Sequence, residues 1–173
     1  MREQKNYGYD YVVRFENFKE MLSQAVEACG DKPAFKFKEH QEVREITYAQ
    51  FLLDTQKLGT ALCSLGAADG HIGMIGANSY YWINVYLTVL NSTGVYVPID
   101  KELPPEDLLH VVGHSDCTVL FYSKSFDKFL RENADSMPKV RYFIGIGCER
   151  DVCPEDSRFL HYEDLISQGE SLL

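Results

Sequence analysis

Four short apolar runs constrain this chain more than any other feature: "HIGMIGA" (His71 to Ala77), "VYVPI" (Val95 to Ile99), "TVLFY" (Thr118 to Tyr122) and "RYFIGI" (Arg141 to Ile146). None alternates strictly between apolar and polar residues, so none reads as a strand with one wet face. Compact runs of this kind are strands covered on both faces. The segments between them, 79 to 91, 104 to 114 and 125 to 133, are long enough for helices. Strands separated by helices predict a mostly parallel sheet with right-handed crossovers, in a doubly wound α/β layer structure. At 173 residues, 45% of them hydrophobic, the chain can bury a core of its own. It reads as one domain, or as part of a larger one.

Different patterns precede these runs. Residues 15 to 29, "FENFKEMLSQAVEAC", set Phe18, Met21, Leu22, Ala25 and Cys29 on one side at helical spacing, and Gly30 stands where a helix would stop. "PAFKF" and "VREITY" read as two strands of a hairpin joined by the polar "KEHQE". A second helix follows: Thr47 and Gln50 have capping-box spacing, Ile46 and Phe51 are placed for a hydrophobic staple, and Gly66 follows the last turn. Its apolar stripe is Phe51, Leu58, Leu62 and Leu65, with Asp54, Lys57 and Ser64 off it. The tail from Cys148 onward is charged at first and then offers a short strand and a short helix.

The prolines and acids of "VPIDKELPPEDL" have local structural work. Pro98 falls near a strand end, where a missing N–H is tolerable, and Pro104 and Pro105 suit the start of the next helix. Glu106 and Asp107 would lie in that helix's first turn, favourable against its positive end.

Composition excludes several partners. Seventeen Lys and Arg against 26 Asp and Glu give a formal net charge of -9, which repels nucleic-acid backbones and anionic lipid. The aromatic residues lie in apolar runs and are not interleaved with Lys and Arg as in single-strand binders. The longest apolar stretch, Tyr80 to Leu90, is interrupted by Asn84 and Thr88 and is far below the roughly 20 residues that span a bilayer, so no transmembrane segment is expected. The first residues, "MREQKNYGYDYVVRF", hold no apolar stretch of signal-peptide type, and the cytosol is the expected compartment. Asn91-Ser92-Thr93 matches a glycosylation acceptor, a reading that would need a secreted protein. The five cysteines, Cys29, Cys63, Cys117, Cys148 and Cys153, form no Cys-x-x-Cys pair and read as incidental or buried thiols.

Each constellation that could carry chemistry falls short on its own terms. His110 and His114 share a helix face as in H-E-x-x-H, but Val111 stands where the catalytic glutamate would be. Glu106 cannot complete a three-ligand site, since it would lie about 12 Å from His114 along the helix axis. Gly70, Gly73 and Gly76, and likewise Gly145 and Gly147, match neither G-x-G-x-x-G nor a Walker loop, and close backbone packing is their expected role. Asp100 and Lys124 both follow strands, as the aspartate and lysine of a phospho-receiver domain do. The acids that would hold Mg²⁺ are missing, because Ala77 and Asn78 stand after the first parallel strand. A nucleophile elbow with Ser-His-Asp order is not visible either. No catalytic, cofactor-binding or metal-binding residue is therefore assigned.

Taken in order, the segments resemble the amino-terminal region of AMP-forming acyl-CoA synthetases, members of the adenylate-forming superfamily. "DKPAFKF" is similar to the family's first strand and "ITYAQF" (Ile46 to Phe51) to its first core motif. "LNSTGVYVPIDKELPPEDL" (Leu90 to Leu108) resembles its second motif, and "GANSYYWINVYLTVL" the helix between them. The wording of the second motif looks most like long-chain fatty acid–CoA ligases. The likeness covers about residues 15 to 170. What the resemblance implies is a two-step reaction using ATP, Mg²⁺ and coenzyme A in the full-length enzyme. In the family, the phosphate donors, the Mg²⁺ site and a cation at the developing negative oxygen come from a Ser/Thr/Gly-rich loop ending in Pro-Lys, from later strand-end residues and from a lysine of a small carboxy-terminal domain. "YSKS" (Tyr122 to Ser125) is the nearest equivalent, and it has no glycine. The first two motifs are structural in the family, so the resemblance transfers no functional residue to Asp100. Residues 1–173 are thus expected to be an incomplete amino-terminal subdomain, inactive by itself, whose partner is the remainder of the enzyme. Uncovered apolar surface would favour self-association. The alternative is a free-standing binding or regulatory module that keeps the fold without the chemistry.

Overall fold

The computed structural model describes residues 14–39, 42–92, 94–150 and 156–173. The expected Cys153, and most of the amino-terminal segment, lie outside them. Helix α1 (Phe18–Cys29) spans the residues from Phe18 to Cys29 that carry the helical spacing, and Asn17 caps it by accepting from the Glu20 N–H at 2.9 Å. Strands β1 (Pro33–Glu39) and β2 (Glu42–Thr47) form the antiparallel hairpin. Its ladder runs further than expected: Lys38 pairs with Val43 and Glu39 with Glu42, so most of "KEHQE" belongs to strands.

Helix α2 (Tyr48–Ser64) is capped by Thr47 Oγ1, which accepts from Gln50 N–H at 3.1 Å. Only half of the capping box forms, because the Gln50 amide turns forward and donates to Asp54 at 2.7 Å. Ile46 and Phe51, the staple pair, are both buried in one cluster with Leu22, Tyr80 and Leu87.

The second sheet comprises β3 (His71–Ile75), β4 (Val95–Ile99), β5 (Cys117–Ser123), β6 (Tyr142–Ile146) and β7 (Phe159–His161), in the order β4-β3-β5-β6-β7 with every pair parallel. Counted within this sheet the order is second-first-third-fourth-fifth, that of flavodoxin-like doubly wound folds. Helices α3 (Tyr80–Leu90), α4 (Pro105–His114), α5 (Asp127–Asn133) and α6 (Tyr162–Leu172) complete the chain. Side chains alternate along the strands and build one core on each face. On one side Val119 and Phe121 of β5 meet Leu58 and Leu62 of α2, Val85 and Val89 of α3, and Leu165 of α6. On the other, Leu120 and Tyr122 meet Leu108 and Val112 of α4 and Leu130 of α5.

Two expectations need correcting. β4 is an edge strand and is not covered on both sides: Val95 is 48% exposed. The Val95 N–H turns toward β3, bonding Gly70 O at 3.0 Å. By the alternation of a parallel ladder, Tyr96 and Pro98 then face outward, so Pro98 removes a donor from the free edge and not from the sheet. Asp54 and Lys57, placed off the apolar stripe of α2, are only 9% and 7% exposed. Helix α6, at the far end of the described chain from α2, packs over that side of it. Asn84 and Thr88 are likewise buried; Asn84 Oδ1 accepts from Tyr162 OH at 2.9 Å.

Candidate functional site

In open parallel sheets, ligands bind beyond the carboxyl ends of the strands where the strand order reverses, here between β3 and β5. Gly76, Asp100 and Ser123 to Ser125 stand along that rim. A Cβ added to Gly76 would come within 3.0 Å of Ser123 Oγ, and one added to Gly73 within 2.9 Å of Leu120 Cδ1, so these glycines serve close packing as expected. Ser79 caps α3 by accepting from Trp82 N–H at 3.2 Å, and Tyr80 turns into the core at 5% exposure. The start of α3 is therefore closed by its own side chains.

The rim's charged groups have partners close by. Asp100 Oδ1 accepts from the Glu102 N–H at 2.9 Å, closing the turn after β4. Lys124 Nζ pairs with Glu149 Oε1 at 2.6 Å, which raises the lysine's pKa and lowers the glutamate's. Asp100 and Lys124 follow β4 and β5, which lie on opposite sides of β3, about 10 Å apart at the usual strand spacing. The structure does not bring them together as a receiver pair. "YSKS" is no phosphate loop: Tyr122 is a core residue, and Lys124 begins a 3-10 turn, Lys124–Phe126.

Behind the rim, Tyr122 OH donates to Asp127 Oδ1 at 2.7 Å, while Arg131 Nε donates to Asp127 Oδ2 at 3.0 Å and its guanidinium lies 4.5 Å from the Phe159 ring centre. Burial, reinforced by Asp127, raises the Tyr122 phenol and holds the Cys148 thiol up at about 11. A thiol so raised is a poor nucleophile. His110 and His114 are both exposed, their rings stacked 5.9 Å apart on the outer face of α4. Among the described residues no three His, Cys, Asp or Glu side chains are grouped to hold a metal ion, and no helix is long and apolar enough to cross a membrane.

A second location was not assigned from sequence. A cavity of about 360 Å³ opens between β2, α2, α3 and α6, lined by Arg44, Gln50, Asp54, Lys57, Tyr80, Tyr81 and Tyr162 among others. Tyr80 OH donates to Asp54 Oδ2 at 2.5 Å, and the Gln50 amide occupies Oδ1. Tyr81 OH donates to Glu39 at 2.6 Å, and Arg44 pairs with the same carboxylate at 2.6 Å. Lys57 reaches Glu170 at 2.7 Å. Burial first, and then the partner acid, raises the Tyr80 phenol and pushes Tyr81 up to about 12. The signal was present in the sequence as Gln50, Asp54 and Lys57 at i, i+4 and i+7, a polar stripe that would ordinarily be read as a wet face.

Residues 22–157 match the family model described as "AMP-binding enzyme". Over 131 residues the chain is 23% identical to 3-methylmercaptopropionyl-CoA ligase of Ruegeria lacuscaerulensis, covering 75% of this chain and 24% of that protein. It is 25% identical over 174 residues to the medium-chain-fatty-acid–CoA ligase of Ectopseudomonas oleovorans, covering 98% of this chain and 30% of that protein. The chain thus spans under a third of the length of these relatives, and neither carries a long-chain name. The crystal structure of coronafacic acid ligase from Pectobacterium brasiliense superposes with a TM-score of 0.77 at 20% identity, covering 88% of this chain and 29% of that one. It establishes the same fold.

Proposed function

The chain belongs to the AMP-binding enzyme family, and on that premise we propose that it is the amino-terminal scaffold of an ATP-dependent, AMP-forming ligase that joins a fatty acid to coenzyme A. In that chemistry the substrate carboxylate attacks the α-phosphate of ATP and pyrophosphate leaves; the thiol of coenzyme A then attacks the acyl carbon and AMP leaves. The described residues do not fit Mg²⁺ or a nucleotide. No three potential metal ligands are grouped, Lys124 is neutralised by Glu149, and the start of α3 is closed by Ser79 and Tyr80. No step of the reaction is therefore assigned to them. What this polypeptide supplies is a packed wall of parallel sheet and helices on which the gripping parts of such a ligase would be mounted. The observation that carries the reading is the family match over residues 22–157.

The finer choice of acyl length rests on the wording of Val97 to Leu108, which favours long chains, against the medium-chain relative from Ectopseudomonas. We expect the purified chain, given ATP, Mg²⁺, coenzyme A and either octanoate or palmitate, to release no pyrophosphate. Replacing the aligned segment of the Ectopseudomonas ligase by this chain is expected to give an enzyme that forms acyl-CoA. Turnover by the chain alone overturns the scaffold reading; a folded but inactive hybrid favours a free-standing binding module instead. Separated from the rest of such an enzyme, the chain is proposed to self-associate through exposed apolar residues such as Phe18, Val43 and Leu53. A monodisperse monomer in sedimentation velocity would count against this.

A further inference from the structure

We propose that the cavity beneath α6 binds a small organic ammonium ion, with the Asp54 carboxylate as its counter-ion. The inference rests on this chain's own geometry and is independent of the ligase reading. Asp54 is 9% exposed, and the two groups that reach its oxygens are neutral donors: the Gln50 amide at 2.7 Å and the Tyr80 hydroxyl at 2.5 Å. Among the described residues it forms no ion pair. The two cations lining the same cavity are each held by another acid, Arg44 by Glu39 at 2.6 Å and Lys57 by Glu170 at 2.7 Å. A buried carboxylate facing open space without a cation is unfavourable, and an entering cation removes that penalty.

Acceptor capacity remains for such a guest, since each carboxylate oxygen has two lone pairs and one is used on each. The ligand's charge follows from Asp54, which repels anions and accepts N–H donors. Size argues against a bare metal ion: the cavity of about 360 Å³ far exceeds the roughly 30 Å³ share of one water molecule. Its walls include the rings of Tyr80, Tyr81 and Tyr162, and tyrosine faces attract alkylammonium groups. The carboxylate would take the N–H donors while the rings cover the stem.

The test uses the whole chain and three probes of similar length at constant ionic strength: n-butylammonium, n-butanol and butyrate. Thermal unfolding and isothermal titration are expected to show saturable stabilisation by n-butylammonium and none by the other two. In Asp54→Asn, which keeps the shape of the side chain but removes its charge and turns one of its two acceptor oxygens into a donor, affinity should fall at least tenfold. An equal response to n-butanol, no saturable binding of n-butylammonium, or undiminished binding by a folded Asp54→Asn variant overturns the proposal. Should that variant fail to fold, the three-probe comparison on the unaltered chain decides by itself.

Discussion

Helix α2 ends in a turn that only a residue tolerant of positive φ can make. Gly66, at φ +62°, donates to Cys63 O at 2.9 Å, and the Ala67 N–H reaches back to Leu62 O at 2.9 Å, the two bonds of a Schellman motif. Gly113 contrasts with it: it lies within α4, on an exposed face, and an added Cβ would meet nothing within 4 Å. The same substitution should therefore have opposite signs at the two sites. Gly66→Ala is expected to destabilise by about 1–2 kcal/mol, the penalty for a Cβ in the left-handed region, and Gly113→Ala to stabilise by about 0.4–1 kcal/mol through the unfolded state. Urea unfolding of the two variants side by side reads both. Asp116, at φ 56°, is the non-glycine residue with positive φ among those described, and the Lys139 ammonium 2.5 Å from its carboxylate lowers the acid's pKa.

At the scale of elements, α2 and α6 meet at Gly169, where an added Cβ would be more crowded than at any other described glycine. A Cβ on Gly169 would fall 1.9 Å from the Lys57 carbonyl oxygen and 2.6 Å from its carbon, both rigid backbone. A side chain there must push the helices apart, which would also expose Leu165 and loosen the Lys57–Glu170 pair. Gly169→Ala is expected to lower stability by about 1–3 kcal/mol, in the range of overpacked cores, with faster amide exchange confined at first to α6. Unchanged stability in denaturant would mean that α6 does not dock as described. The sheet's two edges differ in kind: β4 is long enough to invite pairing but carries Pro98 outward, and β7 is only three residues long. Both are recognised ways of keeping an edge from pairing at random.

Across the whole molecule, buried tyrosines tie the outer hairpin layer to the sheet. Tyr80 packs against Phe35, Phe37 and Phe51, Tyr81 against Tyr162, and Tyr162 reaches Asn84 within α3. Burial raises the phenols of Tyr80, Tyr96, Tyr122 and Tyr162, and lifts Tyr81 to about 12. A folded-state pKa above the unfolded value of about 10 means that the native chain holds these protons longer. Their contribution to stability is complete below pH 10 and is lost as pH rises through the folded-state values. Unfolding is expected to begin above about pH 10, with the tyrosinate absorbance of these five of the eleven tyrosines appearing only together with loss of circular dichroism; ionisation of all eleven while circular dichroism is retained would contradict the burial of these rings. The acids with lowered pKa, Asp116, Glu149 and Asp156, lie in exposed or nearly exposed pairs and should matter little on the acid side.

Local chemistry was legible in the sequence because its causes are local. Thr47 before α2, Gly66 after it, Pro104 and Pro105 at the start of α4, and the four unalternating apolar runs all act within a few residues, and each predicted what the structure contains. The nearest neighbours of a strand and the partner of a helix face are set by chain distant in sequence, and there the reading failed. Val95 to Ile99 looked as deeply buried as the runs that became central strands, yet strand order left it at an edge. Asp54 and Lys57, like Ser64, looked like a wet face because nothing within α2 covers them. Only the return of the chain through Tyr162 and Gly169 turned Asp54 and Lys57 inward and left a buried carboxylate beside an open cavity.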